Sequence, residues 1–209
     1  MNILAAQRAL VSAGFPLTPD GLAGPMTYAA LLGYASQRSL GQLGQALGVG
    51  MAAAFPGAGI GSDLSVIHWC AQASHETEGF RYLTELGGPD YFKRYEGNKD
   101  LGNTQPGDGY NYRGRGIFQI TGRWNYAHFG AEVGEPLEAN PGLAAQPGIA
   151  VKVACQFWLE RHIGPLAEAN DIQGVTRKIN GGLNGLADRL AVTNRLLGLF
   201  GVHLLSDNA

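Results

Sequence analysis

From Gly87 to Gly116 the chain shows no apolar period. Gly, Asn, Asp and Tyr interleave there, whereas the sequence on both sides repeats at the helical spacing. An irregular segment of that length inside a compact domain is uncommon and usually functional or mobile. The pattern therefore predicts a mostly α chain, broken once by a working loop.

The flanks read as follows. Residues 2–13 form a short helix with Ile3, Leu4, Gln7, Leu10 and Val11 on one face and Gly14 as its stop. Pro25 opens a second helix running to about Leu32, and residues 36–55 form a third that ends before Pro56. Ser62 or Asp63 caps a fourth, with Leu64, Ile67, His68, Ala71 and His75 on one stripe and Trp69, Gln72, Ala73 and Glu76 on the next, ending at Gly79. Ile117–Ile120 has the composition of a short strand. Helices are then expected over 123–129, 146–160, 171–179 (capped by Asp171) and 186–205.

At 209 residues the chain fits one domain, or one domain with a small appendage, and 45% hydrophobic content suffices for a substantial core. A net charge of -2 gives no reason to expect a nucleic acid partner. No apolar run reaches 18 residues, so stable membrane insertion is not expected, and Met1–Arg8 lacks the layout of a secretion signal. Synthesis in a cytoplasm is the expectation. Cys70 and Cys155 lie among apolar neighbours and read as reduced core thiols.

Glu76 and Glu85 stand nine positions apart across the expected end of the fourth helix. A pair of acids suits glycosidic bond cleavage: one protonates the leaving oxygen while the other activates water on the far face of the sugar. The negative end of the helix macrodipole disfavours an ionised Glu76 in the last turn, which suits the acid. Glu85, on a looser segment, suits the base, although spacing alone does not separate it from Glu78 or from an ordinary surface acid. His75 next to Glu76 invites a zinc reading, but a zincin helix needs a second histidine where Gly79 stands. No metal or other cofactor is expected. No Gly-x-Ser-x-Gly elbow exists for a serine hydrolase. His75 is expected to orient backbone or a carboxylate, and Arg113 and Arg115 to steady a loop, a carboxylate or an anion.

Two resemblances add to this. Gln7, Leu10 and Gly14, followed by Asp20-Gly21, Gly24-Pro25 and Thr27, resemble the core of small helical peptidoglycan-binding modules. The likeness spans roughly 35 residues, so residues 1–35 are expected either to bind cell wall or to cap the main domain. Residues 36–209 resemble glycoside hydrolase family 19, the family of plant-type chitinases and many phage endolysins. The motifs are Gln72–Phe80, Tyr112–Gly116, Gln119-Ile120-Thr121, Trp124-Asn125-Tyr126 and Ile179–Gly182, in that order.

The family likeness implies a lysozyme-superfamily-like, two-lobed helical domain with a cleft and at most a small β-hairpin. It also implies Glu76 as general acid, Glu85 as general base and Thr121 as the hydroxyl that holds the attacking water. Gln119, Asn125, Asn180 and Tyr112 then fall at sugar-binding positions, and Arg189 matches an arginine that pairs near the acid, with His75 in support. Asn184 stands where plant enzymes usually carry a glutamate, and the plant disulfides and long inter-acid loop are missing. The expectation is thus a monomeric, inverting, lysozyme-like endolysin. Its partner is bacterial peptidoglycan, cut between N-acetylmuramic acid and N-acetylglucosamine once the enzyme has been released to the wall. The alternatives are a chitinase and a non-catalytic wall-binding or phage structural protein.

Overall fold

The computed structural model describes residues 2–202. Helices α1 (Ile3–Ser12), α2 (Pro25–Ser36), α3 (Gly41–Ala54) and α4 (Asp63–Glu76) make the first half. The middle carries only short helices, α5 (Pro89–Phe92) and α6 (Asp108–Asn111), with single 3-10 turns between them. Helices α7 (Arg123–Val133), α8 (Pro147–Glu160), α9 (Gly164–Glu168), α10 (Ile172–Asn180) and α11 (Leu186–Phe200) complete the fold. This is the mostly α, lysozyme-like architecture expected. None of these helices is long and apolar enough to cross a membrane.

α4 is the axis. Ser62 and Ser65 form a reciprocal capping box at its start. Every residue from Ser65 to Ser74 is buried, so α4 has no solvent face over these turns, in place of the two stripes the periodicity suggested. It runs through the middle of the molecule, packed by α2, α9, α10 and α11. Two of its buried polar side chains find partners, His68 Nε2 meeting Asn170 at 2.8 Å and Gln72 donating to Thr176 Oγ1 at 3.2 Å, whereas His68 Nδ1 and Trp69 Nε1 have none among the described residues.

Residues 2–35 share this core. Ile3, Leu10, Leu31 and Leu32 belong to the same buried cluster as Leu47, Trp69 and Leu196. Gly48 of α3 lies so close to α2 that a Cβ there would meet the Pro25 carbonyl oxygen at 2.2 Å. Gln7, 1% exposed, donates to Asp20 Oδ1 (2.8 Å) and Thr27 Oγ1 (3.0 Å) and accepts from the Gly21 amide (2.7 Å). The residues that carry the wall-binding resemblance are thus engaged in holding their own turn.

Several boundaries differ from expectation. Ser36 closes α2, its hydroxyl donating back to the Leu32 carbonyl, and α3 begins only at Gly41 after a left-handed Gln37. α7 extends to Val133, where Gly134 stops it. α9 was not anticipated. The last helix ends at Phe200 on a left-handed Gly201, and the expected extension to Leu205 falls outside the described residues. Ile117–Gln119 is a turn rather than a strand: Arg115 pairs with both Thr84 and Ile120 in isolated bridges, and Gln119 adopts φ 50°. Cys70 and Cys155 are free and buried, and burial pushes the Cys155 thiol up to about 12 and that of Cys70 in the same direction.

Candidate active site

Glu76 is the last residue of α4. Arg189, fully buried on α11, places Nη2 2.5 Å from Glu76 Oε1 and donates through Nη1 to Gln72 Oε1. Gln72 lies one helical turn before Glu76, so one guanidinium fork joins two side chains of the same helix face. The Glu76 side chain is only 16% exposed, which shields the pair from water. Arg189 thus provides the positive charge that a carboxylate at a helix C-terminus lacks. Arg189 Nε donates to the backbone carbonyl of Asn184 at 3.2 Å, so at the position where plant enzymes carry a glutamate it is the main chain that meets the arginine.

One residue back along each helix lies a second pair, His75 Nδ1 to Asp188 Oδ2 at 2.6 Å. Gly185 packs against the imidazole so closely that a Cβ would meet His75 Cε1 at 2.1 Å.

Glu85 is held from three directions. Arg94 Nη2 lies 2.6 Å from Oε1, the Tyr95 hydroxyl donates to the same oxygen at 3.1 Å, and the Gly114 amide donates to Oε2 at 3.0 Å. Its own amide donates to the Gly114 carbonyl at 2.8 Å, which ties the 83–85 segment to 114–116. The Arg94 guanidinium rests on the Tyr91 ring, 3.9 Å from the centroid.

Gln119 and Glu85 converge on Gly114: a Cβ there would meet Gln119 Oε1 at 2.8 Å and Glu85 Oε2 at 3.1 Å. Thr121 Oγ1 donates to the Gln119 carbonyl at 3.1 Å, and Asn125 Nδ2 donates to the Thr121 carbonyl at 2.6 Å. Glu85, Gln119, Thr121 and Asn125 therefore form one connected group, while Glu76, Gln72, Arg189 and Thr176 form another. Trp69 of α4 packs on Phe118 with ring centroids 5.9 Å apart, which fixes α4 against the turn that carries Gln119.

Tyr112 is 5% exposed and its hydroxyl donates to the Glu138 carbonyl at 3.0 Å, so this side chain is engaged within the fold. Asn180 is exposed at the end of α10, ahead of a left-handed Gly181. Arg115 is buried, donating to the Asn111 carbonyl and the Tyr126 hydroxyl.

The irregular middle segment is knit by acids and amides. Asp108 accepts from the Thr104 and Gln105 amides and pairs with Arg123 at 2.5 Å; Glu96 accepts from the Gly107 and Gly109 amides. The Arg123 guanidinium and these backbone bonds hold the Asp108 carboxyl below its ordinary value, the guanidinium contributing most. A depression of about 870 Å³ beside Arg123 and Tyr112 includes neither Glu76 nor Glu85 in its lining.

Arg94, Tyr95 and Gln72 were not among the expected site residues. Gln72 had a local signal, the i,i+4 spacing from Glu76 on one helix face. Arg94 and Tyr95 had none, because a 3-10 turn after α5 brings them back to Glu85.

The sequence model of the family described as chitinase class I, glycoside hydrolase family 19, matches residues 45–174. A Haemophilus influenzae protein described as glycosyl hydrolase family 19 domain-containing is 35% identical over 155 residues, 61% of this chain and 76% of that protein. An endochitinase of Solanum tuberosum is 31% identical over 198 residues, 74% of this chain but 59% of its own length. Against an Arabidopsis thaliana endochitinase the match spans 37% of the relative. Chitinase C from Streptomyces griseus shares the fold with a TM-score of 0.69 at 23% identity, over 86% of this chain and 78% of that one. A class IV chitinase from Zea mays does so with a TM-score of 0.61 at 24% identity, over 86% and 94%.

Proposed function

The chain belongs to glycoside hydrolase family 19, and we propose that it is an inverting hydrolase of peptidoglycan, cutting the β-1,4 bond between N-acetylmuramic acid and N-acetylglucosamine. The observation that carries a two-carboxylate reaction is the contrast between the acids' surroundings. Glu76 is paired with a buried arginine that also binds Gln72; Glu85 is oriented by Arg94, Tyr95 and the Gly114 amide beside the Gln119–Thr121 turn. Two carboxyls in unlike settings suit unlike roles.

In this reading Glu76 gives its proton to the glycosidic oxygen as the bond to the anomeric carbon breaks. Glu85 takes a proton from water as that water's oxygen bonds to the same carbon from the opposite face. One product leaves as a free hydroxyl, the other as an inverted hemiacetal, and no sugar is bound to the protein. The expected carboxyl separation is roughly 6.5–9.5 Å, room for the water. Thr121 and Gln119 fix that water and the sugar beside it, with Asn125 bracing the turn; Asn180 contacts the glycan from α10. The protein acts as a monomer at the cell wall.

Peptidoglycan rather than chitin is supported by the likeness of residues 1–35 to peptidoglycan-binding modules, even though Gln7, Asp20 and Thr27 are themselves engaged in holding that segment's turn. A second reading, chitin hydrolysis, is favoured by the relatives named as endochitinases. The test is digestion of purified peptidoglycan, borohydride reduction and mass spectrometry of the fragments. Reduced N-acetylmuramic acid ends are expected. Reduced N-acetylglucosamine ends move the cut to the other bond, and silence on peptidoglycan with cleavage of chitin oligomers replaces this reading with the second. Full activity in Glu76→Gln would remove Glu76 from the acid's role.

A further inference from the structure

Beside the His75–Asp188 pair lies a depression of about 340 Å³ whose rim carries Arg38, Arg81 and Arg195. Arg38 comes from the α2–α3 connection, Arg81 from the segment after α4, and Arg195 from α11. Among the described residues none of the three forms an ion pair. Arg38 donates one bond to the Gly79 carbonyl (3.2 Å) and Arg195 one to the Ala35 carbonyl (2.6 Å), while the Arg81 guanidinium makes no hydrogen bond among the described residues. A guanidinium carries five N–H donors, so most of this donor set faces outward unused. Two acids line the same depression, Asp188 and Glu78. Asp188 is engaged by His75, which leaves three guanidinium groups against one free carboxylate.

Arg38 and Arg195 also line a neighbouring depression of about 530 Å³ that continues past Pro16, Phe15 and Tyr34 of the N-terminal segment. The two depressions share these arginines and so make one groove, apolar at the α1–α2 end and cationic at the end of α4. Its inner edge is His75–Asp188. The next residue on each of those helices is Glu76 or Arg189, and neither of these two side chains lines the groove.

We propose that this groove is a subsite for the carboxylates of the peptide attached to the glycan strand, seated on Arg38, Arg81 and Arg195. Arginine suits carboxylates because its planar fork meets both oxygens at once. The ligand's identity rests on the peptidoglycan reading; the anion site itself does not. An uncharged glycan such as chitin makes no use of these arginines, so the groove is a specificity determinant, separate from the carboxylates that do the chemistry.

The test is equilibrium binding of a synthetic stem tetrapeptide with free carboxylates, and of its fully amidated form, to the full chain. The Arg38→Gln/Arg195→Gln double variant and Arg81→Gln are measured beside the wild type. Arg81→Gln removes no hydrogen bond among the described residues, so it reports on ligand rather than on folding. Free-carboxylate peptide is expected to bind wild type at least tenfold more tightly than either variant, and tenfold more tightly than the amidated peptide binds wild type. High salt should erase the difference. No binding, equal binding of both peptides, or equal binding by wild type and both variants overturns the subsite. Peptidoglycan cleavage is followed in the same preparations. Cleavage without peptide binding keeps the proposed function and discards the subsite, whereas binding without cleavage does the reverse.

Discussion

Arg189 reaches Glu76 and Gln72 with the two ends of one guanidinium, from a position with no solvent exposure of its own. The Glu76 rotamer is thus set by a residue buried behind it. Arg189→Met should leave a carboxylate and an amide without their partner and destabilise the protein by about 3–5 kcal/mol, the usual cost of breaking a buried pair. Urea denaturation measures this, and an unchanged midpoint would show that the pair does not stabilise the fold. Arg189→Lys should recover much of the stability but little of the turnover, because a single ammonium does not reproduce the fork.

Arg94 plays the corresponding part for Glu85 in a wetter setting, with 46% of its own side chain exposed. Pairs of this kind contribute about 0–1 kcal/mol to stability. Arg94→Ala should therefore melt close to wild type yet lose kcat, with KM little altered. Equal kcat in the two proteins would make the contact incidental.

Gly114 has no room for a side chain between Gln119 and Glu85. Gly114→Ala should push Glu85 out of line and, if Glu85 is the proposed base, lower kcat roughly tenfold to a hundredfold, the scale on which a displacement of about 1 Å acts. A crystal structure of the variant would show whether Glu85 or Gln119 has moved; undisturbed positions with full activity would refute the argument.

Acid sensitivity should trace to Asp108. Its folded carboxyl lies below the ordinary 3.8, so it stabilises the protein above that value and loses its contribution as pH falls through the depressed one. Asp108→Asn should be less stable than wild type at neutral pH and should lose less on going from pH 5 to pH 3. His68 works over a higher range. Burial lowers it below 6.5, so the neutral ring is the folded form and stability declines as pH drops beneath that value. Parallel stability–pH curves for Asp108→Asn and wild type would rule the Asp108 account out.

The position of Glu76 at a helix end was legible in the sequence because local chemistry writes it: a serine cap at Ser62, a helix of fixed length and a left-handed Gly79 just beyond its end. The arrangement around Glu85 was not. Arg94 lies nine positions after Glu85, in a stretch with no period to read. Ile117–Ile120 looked like a strand because β-branched and aromatic residues fill it. They are buried there by a turn that directs Ile117 and Phe118 into the core, so burial rather than pairing accounts for the composition. The stripes expected on α4 disappeared for a tertiary reason, since helices surround it and every face is an inner one.

The aromatic rings form a line through the molecule. Tyr28 meets Phe55 at 5.1 Å, Phe55 meets Trp69 at 5.0 Å, Trp69 meets Phe118 at 5.9 Å, and Phe118 meets Phe157 at 5.5 Å. That line begins in the first thirty-five residues and ends beyond the turn that carries Gln119. The N-terminal segment is consequently not an exchangeable cassette. Deleting it, or grafting another targeting module at residue 36, would open a side of Phe55 that Tyr28 now covers. Loss of glycosidase activity in such a chimera would then report a damaged core and not a lost binding module.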